Sequence, residues 1–136
     1  MAASVLVDAG FLVALLSRRD ANHNWAAAQS SRLSLPWRTC EAALSEAFHL
    51  LGKRGAPALA ALLQRRAVVC AFQLGEDMEE ILKLMQKYAD VPMSFADACL
   101  VRMTGILADS VLATTDTDFG VYRRHSRQTI PCVLPP

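Results

Sequence analysis

Short apolar segments alternate along the chain with longer segments of helical periodicity. The short segments predict buried strands at residues 4–7, 32–35, 67–72, 110–113 and 130–134. The longer segments predict helices at about residues 9–17, 21–31, 39–53, 56–66, 75–89 and 94–108. Strands that alternate with helices of this length pair in parallel through right-handed crossovers. We therefore expect an α/β fold with a central parallel sheet of about five strands flanked by helices.

Two helix starts carry polar residues that can cap them. Thr39 precedes one helical segment and Ser94 precedes another, and each side chain can satisfy an amide of the first turn. The segment GKRGAP at residues 52–57 separates two helical patterns. No repeat or linker divides the 136 residues, a length that can bury one ordinary core, so we expect a single domain over 1–136.

The overall charge limits how the chain could bind nucleic acid. Apolar residues make up 53% and charged residues 20% of the chain, which excludes a disordered protein. The net charge of +1 is too small to give the strong positive field of many duplex-binding proteins. Binding would depend on local patches, for which the candidates are the pairs Arg18/Arg19, Lys53/Arg54, Arg65/Arg66 and Arg123/Arg124. Such pairs are also common on solvated surfaces.

The apolar segment at residues 4–16 fits neither a signal peptide nor a membrane span. Asp8 interrupts it, and its basic residues, Arg18 and Arg19, follow instead of preceding it. The four cysteines are about thirty residues apart and form no CxxC pair. We therefore expect a cytoplasmic protein with free thiols and no association with membranes.

Acidic side chains follow two of the predicted strands. Asp8 ends the first strand, and Asp116 and Asp118 follow the fourth. Each has a structural alternative, since Asp8 could simply cap the next helix and the later pair could belong to a polar turn.

Two further acids fall on predicted helices. Asp97 lies in a first turn, where a negative charge is favoured and a capping role is an alternative. Glu46 lies beside apolar neighbours and so needs a partner. That partner could be His49 on the outside of the helix.

Together, these acids predict a metal site. The carboxyl ends of parallel strands meet at one edge of a sheet, and two helices can overhang that edge. Like charges about 4 Å apart repel by roughly 4 kcal/mol at an effective dielectric of about 20, and a divalent cation removes this conflict. Ligation by oxygen alone points to Mg²⁺ or Mn²⁺, which suits hydrolysis of phosphodiesters. Thr114, Thr115 and Ser94 could orient the carboxylates or metal-bound water.

The order of these acids resembles that of PIN-domain proteins, most closely the stand-alone VapC-type toxin ribonucleases. The resemblance rests on VLVDAGFLVALL, TCEAALSEAFHLL, MSFADACLV and LATTDTDF, together with the stretch Asp20-x-x-His23-x-Trp25. It extends over essentially the whole chain. One departure is Ala9, where many members have Thr or Ser after the first aspartate.

The resemblance implies a three-layer fold and a metal-dependent endoribonuclease that leaves a 5′ phosphate. It implies that Asp8, Glu46, Asp97 and Asp116 are catalytic and bind Mg²⁺ or Mn²⁺, with Asp118 as an auxiliary acid. It also implies an RNA substrate, a homodimer and a small antitoxin protein that covers the site, as in type II toxin–antitoxin pairs.

Two alternatives stay open at this point. The chain could be a non-catalytic PIN domain that binds RNA or a protein, although it has all four acids. It could also be an RNA-processing nuclease without an antitoxin. Arg102, five residues after Asp97, is a candidate RNA contact or an ordinary surface residue. The chain has no glycine-rich phosphate loop.

Overall fold

A computed structural model of the chain describes residues 3–70 and 72–136. Its main sheet has five strands that all pair in parallel, in the order β3-β2-β1-β4-β7. The strands are β1 (Ser4–Val7), β2 (Trp37–Thr39), β3 (Val68–Cys70), β4 (Ser110–Ala113) and β7 (Cys132–Val133). A separate hairpin consists of β5 (Arg123–Arg124) and β6 (Gln128–Thr129). The predicted five-stranded parallel sheet is thus confirmed.

Five helices surround the sheet. They are α1 (Ala9–Leu16), α2 (His23–Ser30), α3 (Glu41–Gln64), α4 (Leu74–Lys87) and α5 (Phe95–Ile106). A 3-10 turn at Thr117–Gly120 follows β4. None of the helices in the described part of the chain has both the length and the apolar character that a bilayer crossing requires.

The sheet separates two apolar cores, because successive side chains of a strand point to opposite faces. Val5 and Val7 of β1 pack in one core with residues of α1, α2 and α3. Leu6 between them packs in the other core, with Ile81 of α4 and Leu100 of α5. The predicted three layers are present, with helices on both faces of the sheet.

The second strand begins later than the sequence pattern predicts. The prediction of a strand at residues 32–35 is wrong, since β2 begins at Trp37. Pro36 lacks an amide hydrogen for the sheet, and Leu35 is 61% exposed. Trp37 is buried instead and packs edge-on against Phe11, with ring centroids 5.5 Å apart. Of the strand predicted at 67–72, Val68–Cys70 is observed, and residue 71 lies outside the described residues.

The helices predicted at 39–53 and 56–66 form one kinked helix, α3. The kink lies at Gly52, whose φ of 64° and ψ of −167° are not helical. Thr39 does not cap this helix, so that prediction is wrong. Cys40 occupies the cap position, and the Thr39 hydroxyl instead donates to the carbonyl oxygen of Val7 at 2.8 Å. This bond ties the end of β2 to the end of β1.

The stretch Asp20-x-x-His23-x-Trp25 has a structural role between α1 and α2. The Asp20 carboxylate accepts the Asn22 amide at 2.8 Å. The imidazole of His23 lies 2.8 Å from the Ala14 carbonyl oxygen, and Trp25 packs edge-on against Phe11. These contacts hold α2 against α1.

Candidate active site

The four acids named from the sequence line a single pocket of about 220 Å³. They come from four different elements: Asp8 follows β1, Glu46 lies on α3, Asp97 lies on α5 and Asp116 follows β4. Because β1 and β4 are parallel neighbours, their carboxyl ends lie side by side, and Val7 is paired with Ala113. The fold thus brings together residues up to 108 positions apart in sequence, as from Asp8 to Asp116.

Asp8 is the most constrained of the four acids. Its side chain is buried, and one oxygen accepts the Phe11 amide at 2.8 Å, so it also caps α1. The hydroxyl of Thr114 donates to the other oxygen. The same hydroxyl accepts the Asp116 amide at 2.9 Å, which connects the two strand ends through one buried side chain. Asp8 therefore caps α1, as the structural alternative predicts, and also lines the acidic pocket.

Burial and neighbouring charges raise the pKa of two of these carboxyls. Burial raises the pKa of Asp8 to about 6, the charges of Asp97 and Asp116 add to the effect, and the hydrogen bonds from Thr114 and Phe11 oppose it. Burial also raises the pKa of Asp97, helped by the charges of Asp116 and Glu46. The acids are therefore close enough to repel one another, as the sequence analysis predicts.

Asp97 is fixed by a reciprocal capping box. Its amide donates to the Ser94 hydroxyl at 3.0 Å, and its carboxylate accepts the Ser94 amide at 3.2 Å. The prediction that Ser94 caps this helix is confirmed. The Asp97 carboxylate is thus held by the Ser94 amide, whereas the Ser94 hydroxyl holds the Asp97 backbone, so the role of that side chain in orienting the carboxylate or metal-bound water stays a prediction.

Glu46 is exposed on α3, on the side of the helix that borders the pocket. His49 is exposed as well. Within the described residues, Glu46 makes no ion pair or side-chain hydrogen bond with His49 or any other group. The alternative in which His49 neutralises Glu46 therefore has no support in the structure.

The polar residues that follow β4 do not all line the pocket. Thr115 and Asp116 line the pocket, whereas Asp118 is not among the lining residues. The Asp118 amide donates to the Asp116 carboxylate at 2.8 Å, so Asp116 caps the 3-10 turn. Asp118 thereby positions Asp116 through its backbone, while its side chain lies outside the pocket wall.

The sequence analysis overlooked Gly10. A Cβ at this position would lie 2.5 Å from the Thr115 hydroxyl oxygen and 3.5 Å from an Asp8 carboxylate oxygen. Only glycine leaves the Thr115 hydroxyl this close to the start of α1. The adjacent small residues of DAG are the one sequence signal of such a close approach.

Tyr122 is a second residue that the sequence analysis overlooked. It is fully buried, and its hydroxyl has no hydrogen-bond partner within the described residues. Burial raises the pKa of Tyr122, and the charges of Asp97, Asp118 and Asp116 add to this effect. No periodicity in the sequence indicates this buried hydroxyl.

Arg102 points away from the acidic pocket. Five residues after Asp97 on an α-helix correspond to a rotation of about 140° around the axis. The Arg102 Nε instead donates to the Asp77 carboxylate of α4 at 2.8 Å. Arg102 lines a separate cleft, and its role as an RNA contact stays a prediction.

The donor set fits a hydrated divalent cation better than an ion enclosed by protein. In the described part of the chain, no three Asp, Glu, His or Cys side chains are close enough together to hold a metal ion by themselves. Mg²⁺ and similar ions keep several waters and bind through one or two carboxylates. The repelling carboxylates and their pocket of about 220 Å³ provide oxygen donors and room for such an ion.

Comparison with known proteins gives one matching family and several similar structures, two of which are as follows. The family model described as PIN domain matches residues 5–124. Curated proteins compared by sequence give no match. Mycobacterium tuberculosis VapC20, described as a toxin that cleaves the sarcin–ricin loop, is similar in structure with a TM-score of 0.79 and 24% identity, over 87% of this chain and 94% of that chain. Pyrobaculum aerophilum PAE2754 is similar with a TM-score of 0.51 and 21% identity, over 85% and 83%.

Proposed function

Because the chain belongs to the PIN-domain family, we propose that it is a metal-dependent endoribonuclease whose catalytic carboxylates are Asp8, Glu46, Asp97 and Asp116. The convergence of these four side chains on one pocket carries the proposal. A cluster of repelling acids destabilises the fold, so its presence indicates a functional site. Binding Mg²⁺ or Mn²⁺, which can in turn bind an RNA phosphate, is a function that fits the oxygen donors of this cluster.

One or two of the four carboxylates would bind the cation directly, and the other acids, with Asp118 as an auxiliary acid, would reach it through bound water. When bound, such an ion lowers the pKa of a water molecule and stabilises negative charge on a phosphate and its leaving oxygen. The protein therefore needs no nucleophilic side chain of its own. Its contribution is to keep oxygen donors in place at the edge of the sheet.

Hydroxyl side chains hold these carboxylates, or the backbone next to them, in place. Thr114 holds Asp8 and the Asp116 backbone together, and Ser94 fixes Asp97. Thr115 lies at the pocket wall against Gly10 and is placed to orient water. Many members of the family have Thr or Ser at the position of Ala9. In this chain, residues that follow β4 would orient water instead.

The first test is cleavage of a mixed total-RNA sample with Mg²⁺, Mn²⁺ or EDTA. We expect cutting in either metal and none in EDTA. The variant Asp97→Asn should lose at least about 100-fold of this activity while staying folded, because Asn keeps the capping box and loses only the charge.

The matched control is Asp90→Asn, which removes the same charge from an exposed residue outside the pocket. This control should cut like the wild type. Equal activity of Asp97→Asn and the wild type would exclude the proposed site. An unfolded Asp97→Asn protein, judged by circular dichroism, would assign Asp97 a structural role instead.

The finer proposal is that the enzyme is the toxin of a VapBC-like pair. The similarity to VapC20, which spans 94% of that chain, supports this proposal through the fold. Induced expression in a bacterial host should arrest growth, and Asp97→Asn should relieve the arrest. A small reading frame beside the gene should encode an antitoxin that restores growth when both are expressed.

Two alternatives predict different results. An RNA-processing nuclease would cut RNA without arresting growth and would have no antitoxin reading frame beside it. A non-catalytic PIN domain would bind RNA or protein equally well in EDTA and would not cut. A homodimer and a cytoplasmic location are part of the proposal and are tested by sedimentation and by fractionation of cells.

A further inference from the structure

A second pocket, of about 250 Å³, lies between α4, α5 and the β5–β6 hairpin. We call it the basic cleft. Its lining has a single acid, Glu80, and five lysines and arginines: Lys83, Lys87, Arg102, Arg123 and Arg124. The net charge of the whole chain is only +1, yet five of its 14 lysines and arginines line this cleft. Of the four basic pairs noted in the sequence, Arg123/Arg124 is the one that this cleft contains.

The two arginines of β5 are anchored by one end of each guanidinium group. The Arg123 Nη1 lies within hydrogen-bond distance, 2.6 to 3.1 Å, of the carbonyl oxygens of Gly120, Val121 and Tyr122. The Arg124 Nη1 donates to the carbonyl oxygens of Thr104 and Ala108 at 3.0 Å. The Nε of Arg124 is buried and has no partner within the described residues, so only the rest of that guanidinium group can meet a ligand in the cleft. Both guanidinium planes are therefore held in place through Nη1, and the N–H groups that are neither bonded nor buried stay available to a ligand.

The turn of the hairpin has an uncommon backbone conformation. His125 and Ser126 have φ values of 49° and 69°, which residues other than glycine rarely adopt, and both line the cleft. Lys87 of α4 donates to the Ser126 carbonyl oxygen at 3.3 Å. This exposed bond places the Lys87 ammonium group on the hairpin side of the cleft.

Ion pairs neutralise only part of the charge in the cleft. Arg102 is paired with Asp77, and Lys83 lies 3.8 and 3.6 Å from the exposed Glu79 and Glu80. The other three cations, Lys87, Arg123 and Arg124, make no ion pair with any described residue. Exposed pairs such as those of Lys83 are weak and screened by salt. The cleft therefore has a net positive charge that ion pairs among the described residues do not balance.

Helix α5 connects the basic cleft to the acidic pocket. Asp97 lies in its first turn, and Gly105, eight residues later, lines the cleft. Eight residues of helix span about 12 Å along the axis. A nucleic-acid strand covers this distance in a few nucleotides, since each adds roughly 3.4 Å along a helix axis.

We propose that the basic cleft binds a backbone phosphate of the RNA, a few nucleotides from the bond that is cut in the acidic pocket. This inference rests on the proposed nuclease function and adds where the substrate is held. Arginine and lysine donors around an open cleft match the oxygens of a phosphate diester. Phosphate contacts position a strand without reading its sequence, so any RNA of sufficient length serves as a probe.

The test compares two double variants that remove the same charge. Lys83→Ala/Lys87→Ala changes the cleft, and Lys53→Ala/Arg54→Ala changes an exposed basic pair on α3. Binding of a fluorescein-labelled oligouridylate of about 20 nucleotides is measured by anisotropy over a series of salt concentrations. Each binding experiment is done in the Asp97→Asn background with EDTA, which prevents cleavage.

We expect the cleft variant to bind about 10-fold more weakly, and its plot of log affinity against log salt to be shallower by about 1.4, which corresponds to two lost contacts with a single strand. The α3 variant should bind like its parent. With Asp97 restored, the cleft variant should show a raised KM and an unchanged kcat on total RNA.

Equal effects of the two double variants would overturn the proposal, because the cleft would then contribute only general charge. Unchanged RNA binding by the cleft variant would also overturn it and would favour an acidic protein segment as the occupant. No measurable RNA binding by the parent would overturn it as well. In each case the nuclease function is judged separately, by metal-dependent cleavage with the wild type.

Discussion

The acidic pocket and the basic cleft border the same helix but are built in opposite ways. The pocket collects one carboxylate from each of four elements, and the buried hydroxyl of Thr114 connects two of them. The cleft collects its cations from α4, α5 and a short hairpin, and its two lysines are exposed. The pocket therefore depends on the exact packing of the sheet, whereas the cleft combines anchored arginines with exposed lysines that contribute little to the packing.

This difference predicts what substitutions do in each place. Asp8 is buried among like charges and has a pKa of about 6, so changes there affect both stability and the reaction. The lysines of the cleft are screened by water and salt, so changes there affect substrate binding with little cost to the fold. In kinetic terms, the pocket should control kcat and the cleft should control KM.

Among substitutions that leave the four carboxylates intact, the largest effect should come from Thr114→Val. Valine has nearly the same shape but removes both the donor to Asp8 and the acceptor for the Asp116 amide. We expect the free energy of unfolding to fall by about 1 to 3 kcal/mol, since buried polar groups lose their partners. Cleavage should fall by about 10-fold to 100-fold, measured as kcat on total RNA.

Thr114→Ser is the matched variant, because serine keeps the hydroxyl. It should retain most of the activity, and the acidic limb of its pH profile should stay in place. In Thr114→Val this limb should move to higher pH, because the Thr114 hydroxyl lowers the pKa of Asp8. An active Thr114→Val enzyme would show that the two strand ends do not need this connection.

A smaller effect separates the structural and binding roles of Arg102. Arg102→Gln and Asp77→Asn both break the same half-buried ion pair, so each should cost roughly 1 kcal/mol or less in the free energy of unfolding. Their effects on RNA affinity should have opposite signs. Arg102→Gln removes a cation from the cleft and should weaken binding about threefold, whereas Asp77→Asn frees Arg102 and should strengthen it.

If both variants bind RNA like the wild type, Arg102 only joins α5 to α4, and the cleft works through its other cations. Anisotropy with the labelled oligouridylate measures both affinities. Chemical denaturation measures both stabilities, and equal losses there are needed before the affinities are compared.

Much of the sheet and of the acidic pocket could be predicted from the sequence, because both depend on local patterns. The apolar runs of β1 and β4 end in Asp8 and in the Thr114–Asp116 turn, and parallel pairing then brings these ends together. Ser94 precedes Asp97 by the spacing of a capping box. In each case, a local pattern places the acid at the end of its strand or in the first turn of its helix, and the parallel pairing of β1 with β4 brings the strand ends together.

Features that depend on contacts between distant segments could not be predicted. Thr39 looks like a helix cap, but its hydroxyl bonds to Val7 in the neighbouring strand. The direction of Arg102 depends on Asp77, 25 residues earlier. The close approach of Gly10 to Thr115 and the buried hydroxyl of Tyr122 likewise arise only when the sheet is assembled.

The pKa of Asp8 gives a prediction whose sign can be checked. Its value of about 6 in the folded protein lies above the ordinary 3.8 that applies to the unfolded chain. Between these values the folded state binds more protons, so without metal the stability falls as pH rises. The loss is complete above about pH 6 and amounts to about 1 to 3 kcal/mol. Asp8→Asn keeps the helix cap and should avoid this loss.

The most direct test of the central claim is therefore the thermal midpoint of the wild type and of Asp8→Asn at neutral pH, each measured in EDTA and in millimolar Mg²⁺. We predict that Asp8→Asn melts at a higher temperature than the wild type in EDTA, and that Mg²⁺ raises the midpoint of the wild type alone, because a cation bound only by the folded state stabilises it. A lower midpoint of Asp8→Asn in EDTA, together with no response of the wild type to Mg²⁺, would contradict the claim that these carboxylates form a cation site.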